Sequence, residues 1–195
     1  MNDLMNKIKT ILEKYFDSFR NKTYSSENEE VDILMRIYGI TPEQKRENRQ
    51  YWGRELGMMW QLLVDALCKE KCSDYKPALH IESDEPCDLR VGKDAIDTKY
   101  RIGSGDSGTL KKFKQYGKLL NEKGYRPVLL ILRDDNLPAA ITACRKGGWT
   151  IIQGEDDVFE YLQTITGCDF RSVLESYIGC YVINLNSGNI VSAND

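Results

Sequence analysis

The stretch "PCDLRVGKDAIDTKYR", residues 86–101, decides how the rest of the chain is read. Two short runs of alternating apolar and polar residues flank Gly92-Lys93, a two-residue turn with glycine first, as a type II′ hairpin prefers. Pairing outward from that turn sets Val91 against Asp94, Arg90 against Ala95, Leu89 against Ile96 and Asp88 against Asp97. Side chains alternate along a strand, so Lys99 shares a face with Asp97, while Leu89 and Ile96 point the other way, into a core.

Two aspartates opposed across a ladder repel each other unless something compensates. A divalent cation held by hard carboxylate oxygens, typically Mg²⁺, is the natural compensator. A metal between two acids with a lysine beside it suits phosphodiester hydrolysis. The cation polarises a phosphoryl oxygen and lowers the pKa of water, while the lysine orients that water or offsets transition-state charge. An exposed hairpin whose polar face meets only solvent fits the same short pattern, and both readings stand at this point.

The next segment, "YRIGSGDSGTLKKF" (residues 100–113), carries Gly103-x-Gly105-x-x-Gly108. In a dinucleotide fold that spacing follows an apolar strand, and an acid comes about 20 residues later. Here the preceding strand carries Asp97, Lys99 and Arg101, and the next strand ends at Arg133-Asp134-Asp135. No lysine-Ser/Thr pair follows the glycines, so a phosphate loop of the Walker type is absent too. No cofactor-binding loop is expected. Charge offers a different use for the segment. Residues 99–126 hold eight basic side chains and two acids, a local +6 in a chain of net −3. A basic stripe on an acidic protein suits a polyanion on one side; a solvated helix face is the alternative.

Working outward, residues 2–20 read as an amphipathic helix without the apolar core of a signal peptide. "EVDILMRIYG" reads as a short helix closed by Gly39, and Thr41-Pro42 starts another. The following segment, as far as Glu70, is one long helix or two, with Gly53 and Gly57 as weak points and a buried second half. "ALHIES", "CDLRV" and "AIDTKYR" read as strands, and residues 109–124 as a helix ended by Gly124. "RPVLLILR" is the apolar run of a strand covered on both faces. A short helix, the strand "WTIIQG" and two further helices follow. The expected fold class is α/β: a central mixed β-sheet flanked by helices, with an N-terminal helical segment at 1–40 and a core at 41–195, best treated as one domain.

No apolar run approaches the roughly 18 residues of a membrane span, so a cytoplasmic protein without a membrane partner is expected. Six scattered cysteines with one histidine, His80, read as ordinary reduced thiols. Cys68-x3-Cys72 is the one pair to watch. His80 reads as a structural residue within a strand, and Trp52, Trp60 and Trp149 read as core.

Pro86-x-Asp88 followed by Asp97-Thr98-Lys99, on a hairpin that leads into a helix, resembles the PD-(D/E)XK nuclease motif. Cys87 between Pro86 and Asp88 falls in the degenerate first element. The stretch from Asp97 to Leu120 further resembles type II restriction endonucleases, most of all the ApaLI-like family. "WTIIQGEDDVFEYLQTITGCDF" is similar to a strand and helix that follow in such enzymes. The resemblance spans roughly residues 50–175 and implies a restriction-endonuclease-like core. It further implies Mg²⁺-dependent cutting of double-stranded DNA at a specific, palindromic site. Asp88 and Asp97 would be metal ligands and Lys99 the catalytic lysine. Glu55, an acid in an otherwise largely apolar helix segment, would add a third carboxylate, with Glu82 and Glu85 as weaker candidates. Gln115 matches a polar helix position near such sites. Arg101, Ser104, Gly105, Ser107, Lys111, Lys112, Lys114 and Lys118 would contact DNA. The same resemblance implies a homodimer, with the 1–40 segment as a possible dimerisation part, and a cognate DNA methyltransferase that forms no stable complex. Alternatives on the same scaffold are a structure-selective repair or Holliday-junction nuclease and a non-catalytic DNA-binding module.

Overall fold

A computed structural model describes residues 5, 8–10, 12–13, 27–82, 84–103, 105, 107–184 and 189–192. The expected helix over 2–20 lies largely outside the described residues, as does Ser104. Helix α1 (Ile33–Tyr38) starts at Asp32, whose side chain accepts from the Leu34 and Met35 N–H groups, and stops at Gly39 in the left-handed conformation. Thr41 and Gln44 close a capping box over α2 (Pro42–Glu47), with Pro42 in its first turn. The break with α3 (Arg49–Lys71) falls at Asn48, whose side chain caps Tyr51 N–H. Gly53 and Gly57, expected as weak points, are carried inside one continuous helix.

Strands β1 (Tyr75–Pro77), β2 (Leu89–Val91), β3 (Asp94–Lys99), β4 (Arg126–Ile131) and β5 (Thr150–Gln153) form one sheet in that spatial order. The first three are antiparallel, and β3–β4 and β4–β5 are parallel. The hairpin register is the one read from the turn: Leu89 faces Ile96, Arg90 faces Ala95 and Val91 faces Asp94. Gly92 opens the turn with φ 57°, a conformation glycine adopts without a Cβ penalty. The strand expected at "ALHIES" is displaced. Its place beside β2 is taken by Tyr75–Pro77, and the described residues 78–82 contribute only an isolated bridge from Ile81 to Asp84.

The crossovers are α4 (Ser107–Glu122), between β3 and β4, and α5 (Pro138–Lys146), between β4 and β5; α6 (Glu155–Thr166) and α7 (Phe170–Glu175) follow. A two-stranded antiparallel sheet, β6 (Tyr181–Asn184) with β7 (Asn189–Ser192), ends the described chain; the sequence reading placed no strand there. The architecture is α/β, a five-stranded mixed sheet with helices on both faces. Strand β4 carries Val128 to Ile131 fully buried, as an interior strand between two helical layers requires.

Two cores follow from strand alternation. Leu89, Ile96, Tyr100, Val128 and Leu130 pack with α1, α3, α6 and α7. Ala95, Leu129 and Ile131 pack with α4 and α5 through Phe113, Leu120 and Ile141. A boundary at residue 40 does not divide this packing, because Ile33, Leu34 and Met35 are buried in the first core. Trp60 and Trp149 are buried and Trp52 packs half-buried, while Met58 and Leu62, expected inside, face out of α3. No helix among the described residues is long and apolar enough to cross a membrane.

Asp32 is buried at the junction of these parts. One carboxylate oxygen caps α1; the other accepts from Arg133 Nη1 at 2.9 Å and from the Tyr100 hydroxyl. Removing one member of a buried ion pair leaves the other uncompensated. Asp32→Ala should therefore lower unfolding stability by about 3–5 kcal/mol, read as a lower urea midpoint with the slope unchanged.

Candidate active site

β2 begins at Leu89, so Asp88 stands just before the ladder and donates its N–H to the Ile96 carbonyl at 2.9 Å. Pro86, without an N–H, does not extend the pairing. The second half of β3 is therefore flanked by β4 alone, and Asp88 fills the place of the missing strand. Its carboxylate accepts from the Thr98 backbone N–H at 2.7 Å and the Thr98 hydroxyl at 2.6 Å. Its other oxygen accepts from Gln61 Nε2 at 3.0 Å. The two aspartates are neighbours, as the register requires, but Asp88 leans toward α3 rather than standing squarely beside Asp97.

Asp97 is nearly enclosed and accepts from Lys99 Nζ at 2.7 Å; Lys99 also reaches the Thr98 carbonyl at 3.0 Å. Burial pushes the Asp97 carboxyl up to about 6; Lys99 opposes the shift and Asp88 adds to it. For Lys99, burial works against the charge, yet the two aspartates outweigh it and hold the ammonium above the ordinary lysine range. The site thus keeps a firm cation beside an acid that titrates near neutrality. Perturbed groups of this kind, clustered at one place, mark candidate functional sites.

Gln61 is a site residue the sequence reading missed. Tyr51, Met58 and Leu62 lie on the exposed side of α3, and Glu55 lies with them. The expected third carboxylate therefore faces away: Glu55 accepts from Arg54 Nε at 2.9 Å and does not join the aspartates. Helical phase is the cause, since Gly57 and Gln61, about one turn apart, are turned toward β3, where position 57 meets Tyr100 and Gln61 meets Asp88, and residue 55 is not. Glu82 and Glu85 lie in the loop before β2; Glu85 pairs with His80, which is exposed and outside any strand, and Glu82 takes φ 56°. Gln115 is exposed on α4.

Among the described residues no group of three or more His, Cys, Asp and Glu side chains is disposed to hold a metal ion. The donor chemistry is still compatible with Mg²⁺, which keeps several waters and takes one or two carboxylates from the protein. Asp97 and Asp88 supply those, and each has acceptor capacity beyond the hydrogen bonds described. Cys87 and Cys144 lie close by, but burial pushes their thiols up to about 11 and about 12, so both stay protonated. All six cysteines are free, as expected.

Around the site, Lys111, Lys112, Lys114 and Lys118 are exposed on α4, which follows β3 directly. Arg101 differs from this stripe: its side chain is largely buried, with Nε 3.0 Å from Asp135. Gly105 is half-buried in the loop, and Ser107 opens α4. No protein-family model matches the chain, and neither a curated protein nor a solved structure matches it.

An acid with a raised pKa binds its proton more tightly in the folded than in the unfolded chain. The stability Asp97 contributes is therefore present below the ordinary 3.8 and is lost as pH rises through about 6. With divalent ions chelated, Asp97→Asn should raise stability at pH 8 by on the order of 2 kcal/mol. That gain should vanish near pH 4 in paired denaturant titrations.

Proposed function

We propose that this protein is a Mg²⁺-dependent endonuclease that hydrolyses phosphodiester bonds in double-stranded DNA, built on the PD-(D/E)XK plan and of the restriction type. One observation carries the reading: a buried Asp97 in contact with Lys99 Nζ, beside Asp88, at the open edge of a hairpin strand. The mixed sheet flanked by helices, with the hairpin leading into a basic helix, is the context in which the resembling superfamily carries this motif.

Asp88 and Asp97 would hold the ion, which when bound supplies Lewis-acid polarisation of a phosphoryl oxygen. Lys99 is held charged, so its ammonium can donate to a phosphoryl oxygen or orient an attacking water. Asp88 is kept in a single orientation by the Thr98 N–H, the Thr98 hydroxyl and Gln61. Gln61 is thus a positioning residue. The exposed α4 lysines would contact the phosphate backbone, fixing register without reading sequence. A two-fold dimer would place two such sites on the two strands of a palindrome.

Incubation of plasmid and of four-way branched DNA with protein and Mg²⁺ tests the reading. Discrete plasmid fragments are expected, with rates lowered about 10²–10⁴-fold in Asp97→Ala and Lys99→Ala. Gln61→Leu should cost about 10–100-fold, and Glu55→Gln should cut as the wild type does. Cutting confined to branched DNA would replace the restriction reading by a junction-resolving one. DNA binding without cutting under any divalent ion would overturn the nuclease reading. Replacing Lys111, Lys114 or Lys118 with alanine should weaken binding on all sequences and lower the salt slope by about 1 each.

A further inference from the structure

A cavity of about 760 Å³ opens at the end of β3, directly beyond Lys99. Its walls come from the start of α3, with Arg49 and Gly53, from Lys45 of α2, and from Lys99, Arg101 and Phe113 on the far side. Among the described residues, four cationic side chains and a single acid, Glu27, line it. Lys45 is committed to Glu27 and the Tyr100 hydroxyl, Arg101 lies against Asp135, and Lys99 is held by Asp97. Arg49 forms no ion pair with the described residues, so it offers the cavity its uncommitted positive charge.

The size of this space limits what can occupy it. A cube of 760 Å³ is about 9 Å on edge, less than the roughly 16 Å that the depths of the two grooves of B-form DNA add up to, and a duplex cannot enter. The volume falls in the range of about 300–1,000 Å³ typical of small-ligand sites. Glycine at position 53 keeps one wall open: a Cβ added there meets nothing within 4 Å. Phe113, packed for the most part in the second core, contributes to the lining as well.

Resting on the nuclease reading, we propose that this cavity receives a single nucleotide turned out of the DNA stack next to the bond that is cut. Its phosphate is held by Arg49. Unstacking is least costly for an unpaired or mispaired nucleotide, so the cavity favours substrates that carry one beside the cut.

Isothermal titration calorimetry of the full chain with the four deoxynucleoside 5′-monophosphates, divalent ions chelated, tests this without cleavage. Saturable binding with Kd of about 1 mM or tighter is expected, with the matching deoxynucleosides and inorganic phosphate each binding more weakly. Gly53→Leu fills the cavity and replaces a helix-interior glycine with a better helix former, so it should melt no lower than the wild type. That variant and Arg49→Ala should each weaken binding at least about tenfold, a loss of about 1.4 kcal/mol. Glu55→Gln, on the opposite side of α3, should leave binding unchanged. Absence of heat with all four monophosphates, or binding that survives Gly53→Leu, overturns the proposal even where Mg²⁺-dependent plasmid cutting stands. Monophosphate binding lost in Gly53→Leu, in a protein that cuts no DNA, would uphold the cavity as a nucleotide site and overturn the nuclease reading instead.

Discussion

The carboxylate of Asp32 is the constraint on which the arrangement of this protein rests. A buried charge is tolerated only when paired and hydrogen-bonded, and Asp32 meets that requirement from three directions at once. Backbone N–H groups come from α1, a guanidinium from Arg133 just past β4, and a hydroxyl from Tyr100 just past β3. Arg133 is fixed in turn by Asp135 and the Glu30 carbonyl, and Tyr100 takes a hydrogen bond from the buried Lys45. The network thus ties the segment before the long helix to the exits of two parallel strands. Tyr100 is the residue after Lys99, so the end of β3 that carries the lysine is set by a lock on the opposite face of the sheet.

Two buried acids of this protein, Asp135 and Asp97, are of different kinds. Burial opposes the charge of Asp135, yet Arg133, the Asn28 N–H and Arg101 overcome it and hold its carboxyl below the ordinary range. At Asp97 burial wins, because its one cation is shared with Asp88. Groups of the first kind hold the fold together and change little across the physiological range. A group of the second kind is costly to ionise, and in the proposed reading a bound cation would complete its surroundings.

Much of this was legible in the chain because the decisive signals are local. The hairpin register follows from Gly92-Lys93 and a period of two, both contained within ten residues, and Gly39, Thr41-Pro42 and Gly124 mark helix ends by backbone chemistry. What escaped depends on facts a short window does not hold. Glu55 and Gln61 are both polar positions on one helix, and only the packing of α3 on β3 decides which of them meets Asp88. Gly53 and Gly57 looked like breaks, but the helix is buried along Leu56, Trp60 and Val64, and that burial outweighs the cost of glycine. Tyr75–Pro77 displaced "ALHIES" as the edge strand because an edge pairs with whichever segment the preceding helix delivers beside it. Asp88 was expected in the ladder opposite Asp97; the pairing ends one residue earlier, and its carboxylate accepts from the Thr98 N–H.

That early ending bears on how the molecule behaves in a crowded solution. A strand unpaired along half its length is a template onto which another chain can zip. Here a side-chain carboxylate occupies the acceptor position that an invading strand would need, and it brings negative charge to the very edge of the sheet. A newcomer would have to evict Asp88 from the Thr98 N–H and leave Gln61 unsatisfied before gaining a single ladder hydrogen bond. The opening by which, in the proposed reading, a substrate would approach β3 is thereby closed to a second copy of the same backbone, so one residue would serve both resistance to aggregation and access to the site.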